Sequence, residues 1–285
     1  MADSTNLNIL VIGGSRNIGY DAALRFLNNT RSTVTYLLRN PSVFDEDVNV
    51  QKHVQSGQAR LVKGNALYPE DVSTLWAEAT KERPVDVLLF TVGFTGDPKF
   101  HPLKGFVIEP PDLVTKSLLN VLCTMPKTGK LPKIITLSTL GVTRGSRSAS
   151  PFLLSPVYGW LITPAVNDKL GMERVIAHCS GWDWNPKNGE PSDEIMGRNW
   201  QAREGLPAPG SLKGLACVIR ASMLTDGNAI ADTPNAKKGL IKPYRAAVGD
   251  ISGYRISRKD VGHFVYETIM RKWEDFGGKQ VSVTY

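Results

Sequence analysis

Three glycines and two arginines near the N-terminus have the types and spacing that point to chemistry. Gly13 and Gly14 end an apolar run, Ile9-Leu10-Val11-Ile12, and Gly19 follows shortly after. Glycine permits a tight turn and lets the backbone come close to a ligand. Beyond Gly19, the residues Ala22, Ala23, Phe26 and Leu27 recur at helical spacing. Strand, glycine turn and helix form the first half of a dinucleotide-binding unit, in which N–H groups at the helix N-terminus hold a pyrophosphate. The candidate residues of this turn are Gly13, Gly14, Ser15, Arg16, Asn17, Ile18 and Gly19. The alternative is a strand-to-helix turn that carries glycine for steric reasons only. Arg39 ends the next β-branched run, Ser32 to Leu38, and stands 20 residues after Gly19. An acidic residue at about that distance binds the ribose 2′-hydroxyl of NAD. A guanidinium there suits a 2′-phosphate instead, because it binds phosphate in a bidentate way. Arg16 is a second candidate partner for that phosphate. Each arginine, taken alone, is also compatible with a plain surface position.

These residues need a scaffold, and the rest of the chain supplies one. Strand-like runs at 59–64, 85–90, 133–138, 215–220 and 280–284 alternate with helical patterns, among them 113–125 and 167–176. Such alternation predicts an α/β fold: one doubly wound parallel sheet, a Rossmann fold, with helices on both faces. We therefore expect a single NAD(P)-binding domain over 1–285. Residues 42–58 are polar and charged, with room for a short helix, and 94–111 and 140–156 read as loops, the latter flanking a substrate pocket. Residues 185–214 form an insert rich in proline and glycine. A loop of that length is functional or disordered. With Met196 and Trp200 in it, the insert reads either as a lid or as a surface excursion.

Composition narrows the function classes. The chain has 285 residues, 41% hydrophobic and 21% charged, which suits one large domain with a sizeable core. No apolar run reaches a membrane-spanning length. The polar start, Met1 to Asn6, lacks the basic and apolar regions of a secretory signal. Cys123, Cys179 and Cys217 lack metal-like spacing and read as buried thiols, so no metal site and a reducing, cytoplasmic location are expected. The net charge of +7 favours anionic ligands, without a basic run of the kind that binds nucleic acid. The expected partner is a small molecule, with neither nucleic acid nor membrane.

The stretch Ile12-Gly13-Gly14-Ser15-Arg16-Asn17-Ile18-Gly19 resembles the T-G-G-S-R-G-I-G signature of short-chain dehydrogenase/reductases. It departs from that signature in Ile12 and Asn17; asparagine tolerates a left-handed backbone better than most residues. The run Lys169-Leu170-Gly171-Met172-Glu173 with Ser180-Gly181-Trp182-Asp183-Trp184 resembles the K-x-x-x-E…S-G-x-D-W stretch of the atypical reductases, the biliverdin reductase B-like and NmrA-like groups. Arg220 to Gly227 resembles R-P-G-x-L-T-D-G with Ala221 for the proline, and Ile256 to Gly262 resembles I-S-R-x-D-V-A, where serine and aspartate cap a helix. His263, just inside that helix, reads as structural.

Arg39, with no acid in its place, predicts NADP as the cofactor of such a reductase. The resemblance implies that Asn65 and Ala66 lie against the adenine, and that Thr91-Val92-Gly93, in place of Asn-Ala-Gly, border the nicotinamide ribose. Ser138 would orient a substrate carbonyl, or else cap the strand end. Lys169 would hold the ribose and lower a neighbouring pKa, or else sit exposed on its helix. The tyrosine of the family's Y-x-x-x-K is absent: Ala165 holds that place. Tyr158 is 11 residues before Lys169, roughly 16 Å along a straight helix, and reaches the site only if Pro164 breaks the chain. Two functions remain open: an NADP-dependent oxidoreductase that transfers a hydride to a carbonyl or other unsaturated acceptor, and an NmrA-like NADP sensor without turnover.

Overall fold

The computed structural model describes residues 5–93, 99–101, 105–107, 109–143 and 156–285, with side chains described outside 99–107 and 156–165. The expected parallel sheet is present. Its strands are β1 (Asn8–Ile12), β2 (Thr33–Leu38), β3 (Ala59–Lys63), β4 (Val87–Phe90), β7 (Lys133–Thr139), β8 (Ala216–Ala221), β10 (Arg245–Val248) and β12 (Gln280–Thr284). They lie in the order β10-β12-β8-β7-β4-β1-β2-β3. Every pairing is parallel except that of β10 with β12 at one edge. The strand order reverses between β1 and β4, and ligands of open α/β sheets bind outside the carboxyl ends of the strands at such a switch point.

The long helices are α1 (Asn17–Asn29), α2 (Val48–Gln55), α3 (Pro69–Thr80), α4 (Leu113–Cys123), α5 (Pro156–Ser180) and α6 (Arg258–Arg271). Two apolar layers cover the sheet. On one face, Phe26 of α1 and Phe264 of α6 pack over Val11 and Ile219. On the other, Leu75 of α3, Leu118 of α4 and Val175 of α5 pack over Leu10 and Phe90. Every residue of β1 is buried, as a strand covered on both faces must be.

Several elements differ from expectation. Residues 94–111 contain a short antiparallel strand pair, β5 (Lys99–His101) with β6 (Gly105–Val107). A small parallel pair, β9 (Met223–Thr225) with β11 (Arg255–Ser257), and the edge strand β10 carry too few residues to show periodicity. Pro164 does not break the chain: α5 runs unbroken through it. Proline removes one N–H donor and crowds one turn, and a 25-residue helix absorbs that local loss. Tyr158 therefore shares an unbroken helix with Lys169; its side chain, and residues 144–155 of the expected substrate-flanking loop, lie outside the described residues.

The insert is packed. Ile195, Met196 and Leu212 are buried in the layer beneath α4 and α5. The guanidinium of Arg203 donates to the Asn120 side chain on α4. A Cβ on Gly205 would come within 2.1 Å of the Cys123 carbonyl oxygen. The segment is thus a flank to α4 and α5. Among the described residues, none of 185–214 borders the cavity described next.

Candidate functional site

A cavity of about 990 Å³ opens along the carboxyl ends of the strands, at the switch point. It brings together Gly13, Ser15, Arg16, Asn17, Ile18 and Gly19 from the glycine turn, Arg39 from the end of β2, and Asn65 and Ala66 after β3. It continues past Thr91, Val92 and Gly93 to Ser138 on β7 and Lys169 on α5. Of the candidate cofactor-binding and catalytic residues, Gly14 alone does not face it. Its Cα packs inward, where a Cβ would meet Val11 Cγ1 at 2.5 Å and Tyr36 Cδ1 at 2.9 Å.

The glycine turn is built by steric necessity. Gly13 has a φ of +88°, and a Cβ on it would lie 2.6 Å from the Thr91 carbonyl carbon. A Cβ on Gly19 would lie 2.2 Å from Thr91 Oγ1 and 2.7 Å from the Gly13 oxygen. Asn17 takes the left-handed conformation, with a φ of +57°, so it fills the backbone role of the glycine it replaces. The Thr91 hydroxyl donates to the carbonyls of Ile12 and Gly13 at 3.2 and 3.0 Å and ties the turn to the end of β4. The Asn65 side-chain oxygen accepts from the Leu67 N–H at 3.1 Å, and the Asn65 N–H donates to the Asp71 carboxylate at 2.7 Å, which shapes the loop after β3.

Lys169 is placed by three anchors on one stretch of α5. Its ammonium donates to the carbonyls of Val92 at 2.8 Å and Leu137 at 2.6 Å, and so bridges the ends of β4 and β7. Asp168 caps α4: its carboxylate accepts from the N–H groups of Val114 at 2.7 Å and Thr115 at 2.8 Å. One turn on, Glu173 receives a bidentate bond from Arg220 of β8, at 3.0 and 2.6 Å, with both side chains buried. Asp250 accepts from the remaining arm of Arg220 at 2.9 Å. The Lys169 ammonium is pushed down to about 8 by desolvation, against the opposing pull of Asp168 and Glu173. An ammonium has three donors, so two carbonyl bonds leave one for a ligand.

Ser138 is 7% exposed and its hydroxyl meets no partner among the described residues. The same holds for Ser117, fully buried on α4 and also bordering the cavity. Buried hydroxyls normally find a partner; these two belong to residues that line the cavity. Ser117 was not singled out in the sequence; it sits in an apolar helix where one serine gives no signal. Arg258, at the start of α6, also lines the cavity; in the sequence its motif reads only as a helix cap. Among the described residues the lining carries four cations, Arg16, Arg39, Lys169 and Arg258, and one carboxylate, Glu109, so it favours a polyanion.

The thiols of Cys123, Cys179 and Cys217 are free, and burial pushes Cys179 and Cys217 up to about 12. His263 shares a 2.7 Å hydrogen bond with the Tyr244 hydroxyl and takes no part in the cavity lining. Among the described residues no cluster could hold a metal ion, and no helix is long and apolar enough to cross a membrane.

No protein-family model matches the chain. A curated protein, Reductase pytE of Aspergillus terreus, is 31% identical over 178 residues, 60% of this chain and 56% of that one. The chain thus matches little more than half the length of this relative. Among solved structures, a short-chain dehydrogenase from Burkholderia cenocepacia J2315 in complex with NADP aligns with a TM-score of 0.58 at 12% identity, covering 98% of this chain and 96% of that one. ChuY, an anaerobillin reductase from Escherichia coli O157:H7, aligns with a TM-score of 0.57 at 16% identity, covering 98% and 97%. At such identities the likeness is one of fold: the chain has the Rossmann fold seen in short-chain dehydrogenase/reductases.

Proposed function

We propose that this Rossmann-fold protein is an NADP-dependent oxidoreductase of the atypical short-chain dehydrogenase/reductase type, acting on a small molecule with a carbonyl or other unsaturated group. The observation that carries the reading is one continuous cavity, with Arg39 and the glycine turn at one end and Ser138 and Lys169 at the other. The resident residues fit the dinucleotide. Gly13 and Gly19 let the turn close against the end of β4, where any Cβ would clash with Thr91 or with the turn's own backbone, and the unpartnered hydroxyls of Ser138 and Ser117 belong to residues that line the cavity. The reductase name of the curated relative and the NADP complex among the structural neighbours support the same reading.

In this reading the turn from Gly13 to Gly19 holds the pyrophosphate, and Arg39 with Arg16 holds the 2′-phosphate. Asn65 and Ala66 border the adenine; Thr91, Val92 and Gly93 border the nicotinamide ribose. The bound cofactor supplies the hydride. Lys169 gives its remaining donor to the ribose, and Ser138 orients the acceptor oxygen by donating to it. With Ala165 in the place of the family tyrosine, solvent water entering the cavity supplies the proton. A sensor without turnover would fill the space beside the nicotinamide, and a cofactor-bound structure would tell the two apart. The test is to mix the protein with NADPH and a panel of carbonyls, quinones, flavins and tetrapyrroles while following NADPH absorbance. Oxidation with at least one class, reduced in a Ser138→Ala variant, is expected. No oxidation across the whole panel, with NADPH bound, would favour the sensor.

A further inference from the structure

Arg258 lines the cavity although it stands more than two hundred residues from the glycine turn. Helices α1 and α6 lie side by side and run in the same direction. A Cβ on Gly262 would come within 2.3 Å of Asp21 Oδ2, and the rings of Phe26 and Tyr266 stand 5.0 Å apart. Gly262 is thus level with Asp21. One turn earlier on each helix, Arg258 is level with Asn17, the first residue of α1. The start of α6 is held firmly: the Ser257 hydroxyl accepts from the Asp260 N–H at 3.0 Å. The Asp260 carboxylate in turn receives the N–H groups of Ile230 and Ala231, both at 2.9 Å, and the Tyr285 hydroxyl at 2.6 Å. Arg258 is therefore carried on a fixed base, at the wall where the α1 N–H groups open.

Its present partner is weak. Arg258 donates to Asp226 at 2.6 Å, but the Asp226 side chain is 84% exposed, and ion pairs of that kind contribute little. A phosphate offers a guanidinium more acceptor oxygens than an exposed carboxylate does, and away from bulk water.

We propose that Arg258 is a diphosphate anchor, which leaves Asp226 and pairs with the pyrophosphate of the bound dinucleotide. The proposal rests on the cofactor reading above and adds to it a residue from the far end of the chain. It separates two arginine roles: Arg39 serves the 2′-phosphate and Arg258 the diphosphate. The experiment titrates two probes, NADP+ and adenosine 2′-monophosphate, into the unmodified protein and into Arg258→Gln, Arg39→Gln and Asp226→Asn variants, with heat or intrinsic fluorescence as readout. Arg258→Gln should weaken NADP+ on the order of ten- to a hundredfold and leave adenosine 2′-monophosphate unchanged. Arg39→Gln should weaken both probes. Asp226→Asn, which removes the competing carboxylate, should bind NADP+ as tightly as the unmodified protein or tighter. Unchanged NADP+ affinity in Arg258→Gln, or equal loss of both probes, would overturn the proposal. If the unmodified protein bound NADP+ not at all, the functional reading itself would fall, a distinct result from failure in the variant alone.

Discussion

Replacing Asp168 with alanine tests how the site is held. The Asp168 carboxylate, 3% exposed, accepts the N–H groups of Val114 and Thr115 at 2.7 and 2.8 Å. These are first-turn donors of α4, which have no partner inside their own helix. Alanine leaves both buried and unsatisfied, at about 1–3 kcal/mol each. Part of that cost is offset, because burial holds the Asp168 carboxyl above its ordinary range and removing it relieves that desolvation. A net loss of about 3 kcal/mol follows from these terms. For a domain of this size that corresponds to roughly 6–12 °C in Tm. Asp168→Asn keeps one acceptor and sets its amide against the other N–H, so it should fall between alanine and the unmodified protein. Because Asp168 also fixes the register of α5, NADPH affinity should drop in the alanine variant as Lys169 loses its place. Urea unfolding and Tm give the stability; titration gives the affinity. An alanine variant within about half a kcal/mol of the unmodified protein would refute the claim that this cap holds α4 and α5 together, since that is the usual range for inconsequential substitutions.

Three further outcomes are expected. Gly19→Ala drives a Cβ to 2.7 Å from the Gly13 oxygen, which is backbone and cannot swing away, so it should cost at least about 2 kcal/mol and abolish NADPH binding; adding Thr91→Ala should restore part of the stability, read by unfolding of both variants. The folded Lys169, at about 8, titrates below its free value of 10.5, so between these values the unfolded chain binds a proton that the folded chain has lost. Stability from this group therefore rises with pH across that window, by at most about 3 kcal/mol, and the rise should be missing in Lys169→Met when unfolding is compared at the two pH values. Arg39→Asp should reverse or abolish the preference for NADPH over NADH while leaving Tm close to that of the unmodified protein, checked by titration and thermal unfolding.

Local signals carried far in this chain. The glycine turn, seven of the eight strands of the sheet and the Ser257 cap of α6 were legible because each is written in a few neighbouring residues. Asn17 is a clear case: its tolerance for a left-handed backbone is a property of one side chain, and its φ of +57° follows. What was not legible depends on partners far away in sequence. Asp168 reads as a helix residue beside a lysine until α4, more than fifty residues earlier, places two N–H groups against it. Glu173 and Arg220 each sit in a family-like motif, yet only the sheet brings them into a bidentate pair. The packing of the insert was not legible either, because Ile195, Met196 and Leu212 find their places only against α4 and α5. Pro164 misled, because a local penalty was weighed without the length of helix around it.

The central claim is that the cavity is built for a dinucleotide bearing a 2′-phosphate, and calorimetric titration of the unmodified protein with NADPH and NADH tests it most directly. Charge-assisted bonds from Arg39 and Arg16 are worth about 1.5–3 kcal/mol each, so NADPH should bind on the order of a hundredfold more tightly, or better. Equal affinities for the two cofactors would show that neither arginine reaches the ribose and would contradict the account.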